Sequence, residues 1–485
     1  MRIPLLVLAL GLVVLRTAPP LPAQGPLTPP GAPAPTMKTL DQIESRTPIS
    51  ALPYTITTGG SYYLTANLNV TSGNGITINA NDVSLDLNGF TISSTEATPA
   101  GTGILLSGLL KNINIRNGSI KGVVDVFGTF SGSGFASGIR TTSFGLYSGR
   151  VEDISVLGCL VDGINVGGSA VVAQSCTVRS VGGIGISAET VLNCSAVNCT
   201  TYGIACRNAM NSSGEAVAGI GLEAQNADNC YGLVGSAGSS GSAGLRAVNA
   251  TNCYGSANNA GVGVDAQHAQ NSHGISQFGT GLNAKTADGC SGISFASGTG
   301  LQANVANNSQ GESASGIGLI ASRTAQNCTG SSSGTGLIAT QTAINCTGSS
   351  SGAGTGVDAP VATNCHGTSA TGRGINAQVA QNCYGTSGGA GTALEAVNAS
   401  NCYGLSTTGT GLKATMAQNC WGRSVNGGIS AIGLDASQAT NCYGANSGPA
   451  GSIGLKAFIA VGCHGAGNPF MQTSHRYLSS LGLGP

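Results

Sequence analysis

A block of twelve residues, Gly411-Leu412-Lys413-Ala414-Thr415-Met416-Ala417-Gln418-Asn419-Cys420-Trp421-Gly422, recurs down most of this chain as G-[LIV]-x-A-x-x-A-x-N-C-x-G. Clear copies open at Gly221, Gly244, Gly263, Gly281, Gly300, Gly356, Gly374 and Gly433. Self-similarity at a short fixed period requires a repeat architecture, in which each unit buries its apolar face only against its neighbours. The block's cysteine, or a serine in its place, marks fifteen positions from Cys194 to Cys463. Eleven of the fourteen intervals are 18 or 19 residues and the other three are 21 to 23. The block keeps its length while the Gly/Ser-rich joint between blocks absorbs the difference, as rigid strands on elastic turns would do.

Helical repeats need longer units and good helix formers, which 78 glycines in 485 residues oppose. Only 4% of residues are aromatic and 8% charged, so the core must be thin, aliphatic and many times repeated. A strand period is visible in Asp82-Val83-Ser84-Leu85-Asp86-Leu87, where apolar and polar residues alternate. The openings Gly75, Gly103, Gly138, Gly163, Gly185 and Gly203 step by 28, 35, 25, 22 and 18 residues, so the irregular early part and the regular later part read as one construction. The expected fold is all-β: a single-stranded parallel β-helix of about 19 coils over residues 75–465, on the order of 90 Å long at about 4.8 Å per coil.

Outside those coils, residues 1–23 read as a signal peptide. Arg2 precedes an apolar run from Ile3 to Leu15, with a cleavage site after Ala23. A Pro-rich linker follows at 24–36. Residues 37–74 are expected to form an N-terminal cap, with a short helix at Met37–Arg46 and strands at Tyr54–Thr57 and Ser61–Leu64, because an open strand edge invites aggregation. Residues 466–485 are expected to be a C-terminal tail or cap. No later segment is apolar enough to span a membrane, and a secreted or cell-envelope location follows. Nineteen basic and nineteen acidic residues cancel without clustering, which excludes a nucleic-acid partner.

Gly75–Ile92, reading G-I-T-I … V-S-L-D-L-N-G-F-T-I, together with the later G-I and N-C-x-G positions, resembles the coils of right-handed parallel β-helix proteins of the pectate-lyase-like superfamily. The resemblance spans about residues 54–465 and implies the right-handed fold. It does not imply one activity, since that fold carries lyases, hydrolases, epimerases, adhesins and structural spikes. A left-handed β-helix matches the 18-residue coil but wants an aliphatic residue every six positions, which this chain lacks.

Within the block, Leu412, Ala414, Ala417 and Cys420 are expected to face inward, and Asn419 and its equivalents to form an asparagine ladder at a turn. The cysteines are expected to be free. Parallel inward vectors place adjacent Cβ atoms about 4.8 Å apart, against about 3.5–4.5 Å for a disulfide, and Ser272 and Ser309 replace Cys in the column. Their expected role is that of small hydrophobes. Cys199 and Cys206, off the column, are the expected disulfide partners. No metal site or cofactor is expected, because no C-x-x-C or Cys/His cluster occurs.

The residue after each cysteine is expected to face outward, giving two aromatic runs around a polar middle: Tyr231 and Tyr254, then Tyr384, Tyr403, Trp421 and Tyr443. Such a strip either stacks on itself or stacks on sugar rings. Another outward column runs Glu395, Lys413, Asp435, Lys456 with alternating sign, which reads as a solvated face. The paired-carboxylate and N-T-D, D-D, G-H-G and R-I-K signatures of polysaccharide hydrolases of the fold are absent. Glu152, Asp153, Asp162 and Arg179 are the remaining catalytic candidates, in neighbouring early coils. The leading expectation is a non-catalytic extracellular rod, structural or adhesin-like. The alternatives are a carbohydrate-binding protein using the aromatic column, with polysaccharide or cell-envelope partners, and a divergent polysaccharide lyase or hydrolase.

Overall fold

The computed structural model describes residues 45–483 apart from 126–130, 143–144, 427, 429, 468, 470 and 477–480. The expected signal peptide and linker, and the helix at 37–44, lie outside the described residues. From Thr47 onward the described chain is all β: a right-handed parallel solenoid of about 22 turns, without a helix among the described residues. The expected count of about 19 is corrected because coiling begins before Gly75 and continues past Gly465. Thr47–Ile49 already pairs in parallel with Gly60–Leu64, and Tyr54–Ile56 with Ile76–Ile78. At the far end Met471–Arg476 pairs with Ile453–Val461, and Leu481–Leu483 with His464–Ala466.

One coil shows how the sequence makes the walls. Leu412–Gln418 is a strand whose residues run inward, outward, inward, outward, outward, inward, outward. The two consecutive outward residues, Thr415 and Met416, divide it into two walls without interrupting the pairing to Leu394–Ser400 behind and Ile432–Thr440 ahead. Asn419 then turns the corner with φ 52, and Trp421–Ser424 forms the third wall. A Gly-rich joint closes the coil. The 35-residue step between Gly103 and Gly138 has a local cause: it holds an antiparallel hairpin, Val123–Asp125 with Ser131–Ser133.

The core changes character along the rod. Early coils bury full-sized aliphatics on every wall, such as Val83, Leu85, Ile92, Ile104 and Ile115. Later coils bury one leucine, two alanines and a cysteine, exemplified by Leu412, Ala414, Ala417 and Cys420. Glycine makes that thin core possible. On the third wall Gly404 faces inward, and a Cβ built there would lie 2.1 Å from the Gly411 carbonyl oxygen. The two walls therefore touch backbone to backbone at this level, and the repeated glycines are core residues as well as joint residues.

The asparagine ladder forms as expected. Asn308, Asn327, Asn345, Asn364, Asn382, Asn401 and Asn419 all hold φ between 48 and 54. Each amide donates to the side-chain oxygen one coil back: Asn382 Nδ2 to Asn364 Oδ1 at 3.1 Å, Asn401 Nδ2 to Asn382 Oδ1 at 3.2 Å. Where Gly289 takes the position, with φ 62, Asn308 donates instead to Asp288 Oδ1 at 3.0 Å. Left-handed backbone costs an ordinary L-residue about 1–2 kcal/mol, and a net hydrogen bond is worth about 1 kcal/mol. Asn382→Ala is therefore expected to destabilise the protein by about 2–3 kcal/mol, and Asn382→Gly by about 1 kcal/mol or less. Urea denaturation of the two variants checks this ordering, and equal losses would contradict it.

All sixteen cysteines are free. The expected Cys199–Cys206 disulfide is corrected: Cys199 lies on the third wall in register with Val181 and Ala216, while Cys206 occupies the inward alanine column of the next strand, opposite Ala188. The column thiols also do more than fill space. Cys402 Sγ lies 3.2 Å from the Ser400 carbonyl and 3.3 Å from that of Ala380 in the preceding coil. Sulfur also accepts, from Cys420 N to Cys442 Sγ at 3.4 Å. Serine reproduces the same bonds, with Cys253 N donating to Ser272 Oγ at 3.2 Å and Cys290 N to Ser309 Oγ at 3.1 Å. The column thus requires one small donor-acceptor group, which explains why Cys and Ser alternate there.

A second internal column escaped the sequence reading. Nine serines from Ser276 to Ser424 stack in register on the third wall, two residues beyond the block's last glycine. Ser369 shows the role: its Oγ donates to Gly354 O of the preceding coil at 2.7 Å and accepts from Gly372 N at 2.8 Å. Ser406 repeats it with Gly391 O and Gly409 N. The hydroxyl ties each flexible joint to the wall, satisfying backbone groups that the irregular loop would otherwise leave buried without partners.

Candidate functional site

Two surfaces are candidates. The first is the aromatic column on the third wall, held in line by the register Tyr384↔Tyr403↔Trp421↔Tyr443. Strand spacing brings the rings close enough to stack. Tyr231 and Tyr254 lie 5.2 Å apart and nearly parallel at 6°, and Tyr384 and Tyr403 lie 5.0 Å apart at 12°. His273 ends the first run 5.4 Å from Tyr254, and His366 opens the second 4.9 Å from Tyr384. Parallel rings cover each other's faces, and a ligand stacks on faces. Trp421 differs. It stands at 77° to Tyr403 and 89° to Tyr443 and is 46% exposed. Burial lowers the affinity of the half-buried His273 for a proton and raises the pKa of the Tyr384 phenol, with Tyr403 adding to the latter.

The second surface is a groove along the first wall. Its rims are the outward residues on either side of the inward alanine, Lys413 and Thr415 flanking Ala414 in one coil. It widens into a depression of about 780 Å³ around Arg373, Glu395, Lys413, Asp435 and Lys456, and another of about 820 Å³ around Glu223, Arg246, Asp265 and Lys285. Charges along it pair with each other. Glu395 takes Arg373 Nε at 2.6 Å and Lys413 Nζ at 3.2 Å, and Asp265 takes Arg246 Nε at 3.3 Å and Asn283 Nδ2 at 3.0 Å. Such exposed pairs fix register and solubility more than they add stability.

Comparison with protein-family models, curated proteins and solved structures finds no match to this chain. The early acidic candidates must therefore be weighed by their own surroundings. Asp153 occupies the corner position with φ 53, as Asn117 does one coil earlier and Ser175 one coil later. Asp162 is buried in a turn, where its carboxylate accepts Asn165 Nδ2 at 2.9 Å and Ile184 N at 3.1 Å. It also adds to the effect of burial in pushing the Cys159 thiol up to about 12. Arg179 lies mid-strand in register with Leu157 and Val197, and Glu152 pairs with Arg150 at 3.5 Å. These residues occupy a corner, a turn and a wall, and each is engaged locally or stands apart. General acid-base work needs groups converging on one reacting atom, and this set does not converge.

Among the described residues no group of three or more His, Cys, Asp or Glu is placed to hold a metal ion, and no helix is long and apolar enough to cross a membrane.

Proposed function

We propose that this protein is a non-catalytic extracellular rod, a structural or adhesin-like component of the cell surface. Its coils are those of the pectate-lyase-like superfamily, which Gly75–Ile92 resembles. The observation carrying this reading is that nearly every repeated position is engaged in holding the coil: leucine and alanine in the core, glycine where walls touch, and asparagine, cysteine and serine in hydrogen-bonded ladders. The mature protein is expected to fractionate with the cell envelope or medium and to show no turnover of uronate polymers. Turnover abolished by Asp153→Asn or Arg179→Ala would replace this reading with that of a divergent lyase or hydrolase.

A second reading, carbohydrate binding, is favoured by one observation: the half-exposed Trp421 ring is turned across the stack rather than into it. One aromatic-sugar contact of that kind is worth about 1 kcal/mol. On a glycan array, Trp421→Ala is expected to weaken any retained glycan roughly fivefold, with Tyr231→Ala, in the parallel-stacked run, weakening it far less. Equal losses in both variants would argue that the column binds as a whole.

A further inference from the structure

Eight consecutive coils, from Cys328 to Cys463, place a buried thiol at the same inward corner, each adjacent to the thiols of the coils before and after. Elsewhere the column is broken. Cys290 sits alone between Ser272 and Ser309. Successive coils are about 4.8 Å apart. A metal–thiolate bond is about 2.3 Å, so two in line span about 4.6 Å. An ion midway between sulfurs of successive coils therefore fits the stack without moving backbone.

We propose that the column from Cys328 to Cys463 binds soft monovalent cations, Cu(I) or Ag(I), as two-coordinate ions threaded between the thiols of successive coils. Thiolate selects such ions. Each ion entering displaces one thiol proton to solvent, S–H + M⁺ → S–M + H⁺, and no electron is transferred. The arriving charge neutralises the thiolate it creates. That matters here because burial opposes a bare thiolate, as the raised pKa of the isolated Cys290 shows. Zn²⁺ is refused by geometry: it takes four ligands in a tetrahedron, and among the described residues no group of three or more candidate ligands is assembled. A straight ladder offers pairs, and pairs suit linear coordination.

The test is titration of the reduced protein with silver nitrate in chloride-free buffer, read by native mass spectrometry, with circular dichroism recorded alongside. Eight thiols leave seven gaps between neighbours. Uptake is expected with the strand signal retained, and Zn²⁺ in excess is expected not to compete. Cys383→Ser removes one thiol but two gaps, so capacity is expected to fall by two ions. Cys290→Ser removes a thiol with no thiol neighbour, so capacity is expected to stay unchanged. Both variants should fold, because Ser212, Ser272 and Ser309 occupy the column naturally. A loss of one ion in each variant would mean ordinary one-thiol binding and overturn the proposal. Uptake only as the strand signal disappears, or Zn²⁺ displacing Ag⁺, would overturn it equally.

Discussion

Gly404→Val is expected to unfold the coils around it, because its side chain has nowhere to go. The new Cβ would sit 2.1 Å from Gly411 O and 2.7 Å from Gly411 C, and both obstacles are backbone. Gly411 cannot retreat, since a Cβ placed on it would meet Arg423 N at 2.3 Å and Gly433 O at 2.5 Å, which shows how closely it is packed on its other sides. Ordinary overpacking costs about 1–3 kcal/mol when side chains can rearrange. Two backbone walls in contact cannot, so the loss should exceed that range. Native-state hydrogen exchange is the appropriate readout, because a stacked array opens locally. Protection should vanish in the coils flanking position 404 and persist in the aliphatic-rich coils before about residue 200. Gly428→Val is the control, as its Cβ would meet nothing within 4 Å. Unchanged protection around position 404 would show that the walls are not in contact.

The second large effect is expected at Leu412. It is the one large aliphatic that its block contributes to the core and is fully buried. Leu412→Ala should cost about 2–5 kcal/mol, near the upper end because neighbouring alanines cannot collapse into the space. Leu405, outward on the third wall and only partly buried, serves as the comparison. Leu405→Ala should cost under about 1 kcal/mol. Guanidinium denaturation of the two variants distinguishes a one-leucine core from a core shared among many residues; similar losses would reject the former.

These two positions also show what could be read in the chain and what could not. Leu412, Ala414, Ala417 and Asn419 announce their places by spacing alone, because strand alternation and a left-handed corner each leave a periodic trace. Gly404 does not. A glycine in a turn and a glycine in a core look alike in sequence, and only the closeness of the opposite wall separates them. The serine column was hidden for a related reason. Serine is so frequent in the joints that Ser369 and Ser406 merge with them, although they recur at a constant distance beyond Asn-Cys. The early coils concealed their own extent, since Thr47–Ile49 and Tyr54–Ile56 pair as coil strands without carrying the block. At the candidate site, register made the aromatic column predictable, whereas the turned Trp421 ring depends on torsions that no pattern encodes.

The parallel pairing of nearly every strand has a mechanical meaning. In such a stack the hydrogen bonds between coils all lie along the rod. Tension applied at the two ends therefore loads one coil interface at a time at the frayed end, and peels the rod rather than shearing it. Each detached 18-residue coil releases about 60 Å of extended chain. A molecule anchored at one end and pulled at the other would pay out in equal steps, holding a nearly constant force while lengthening many times over.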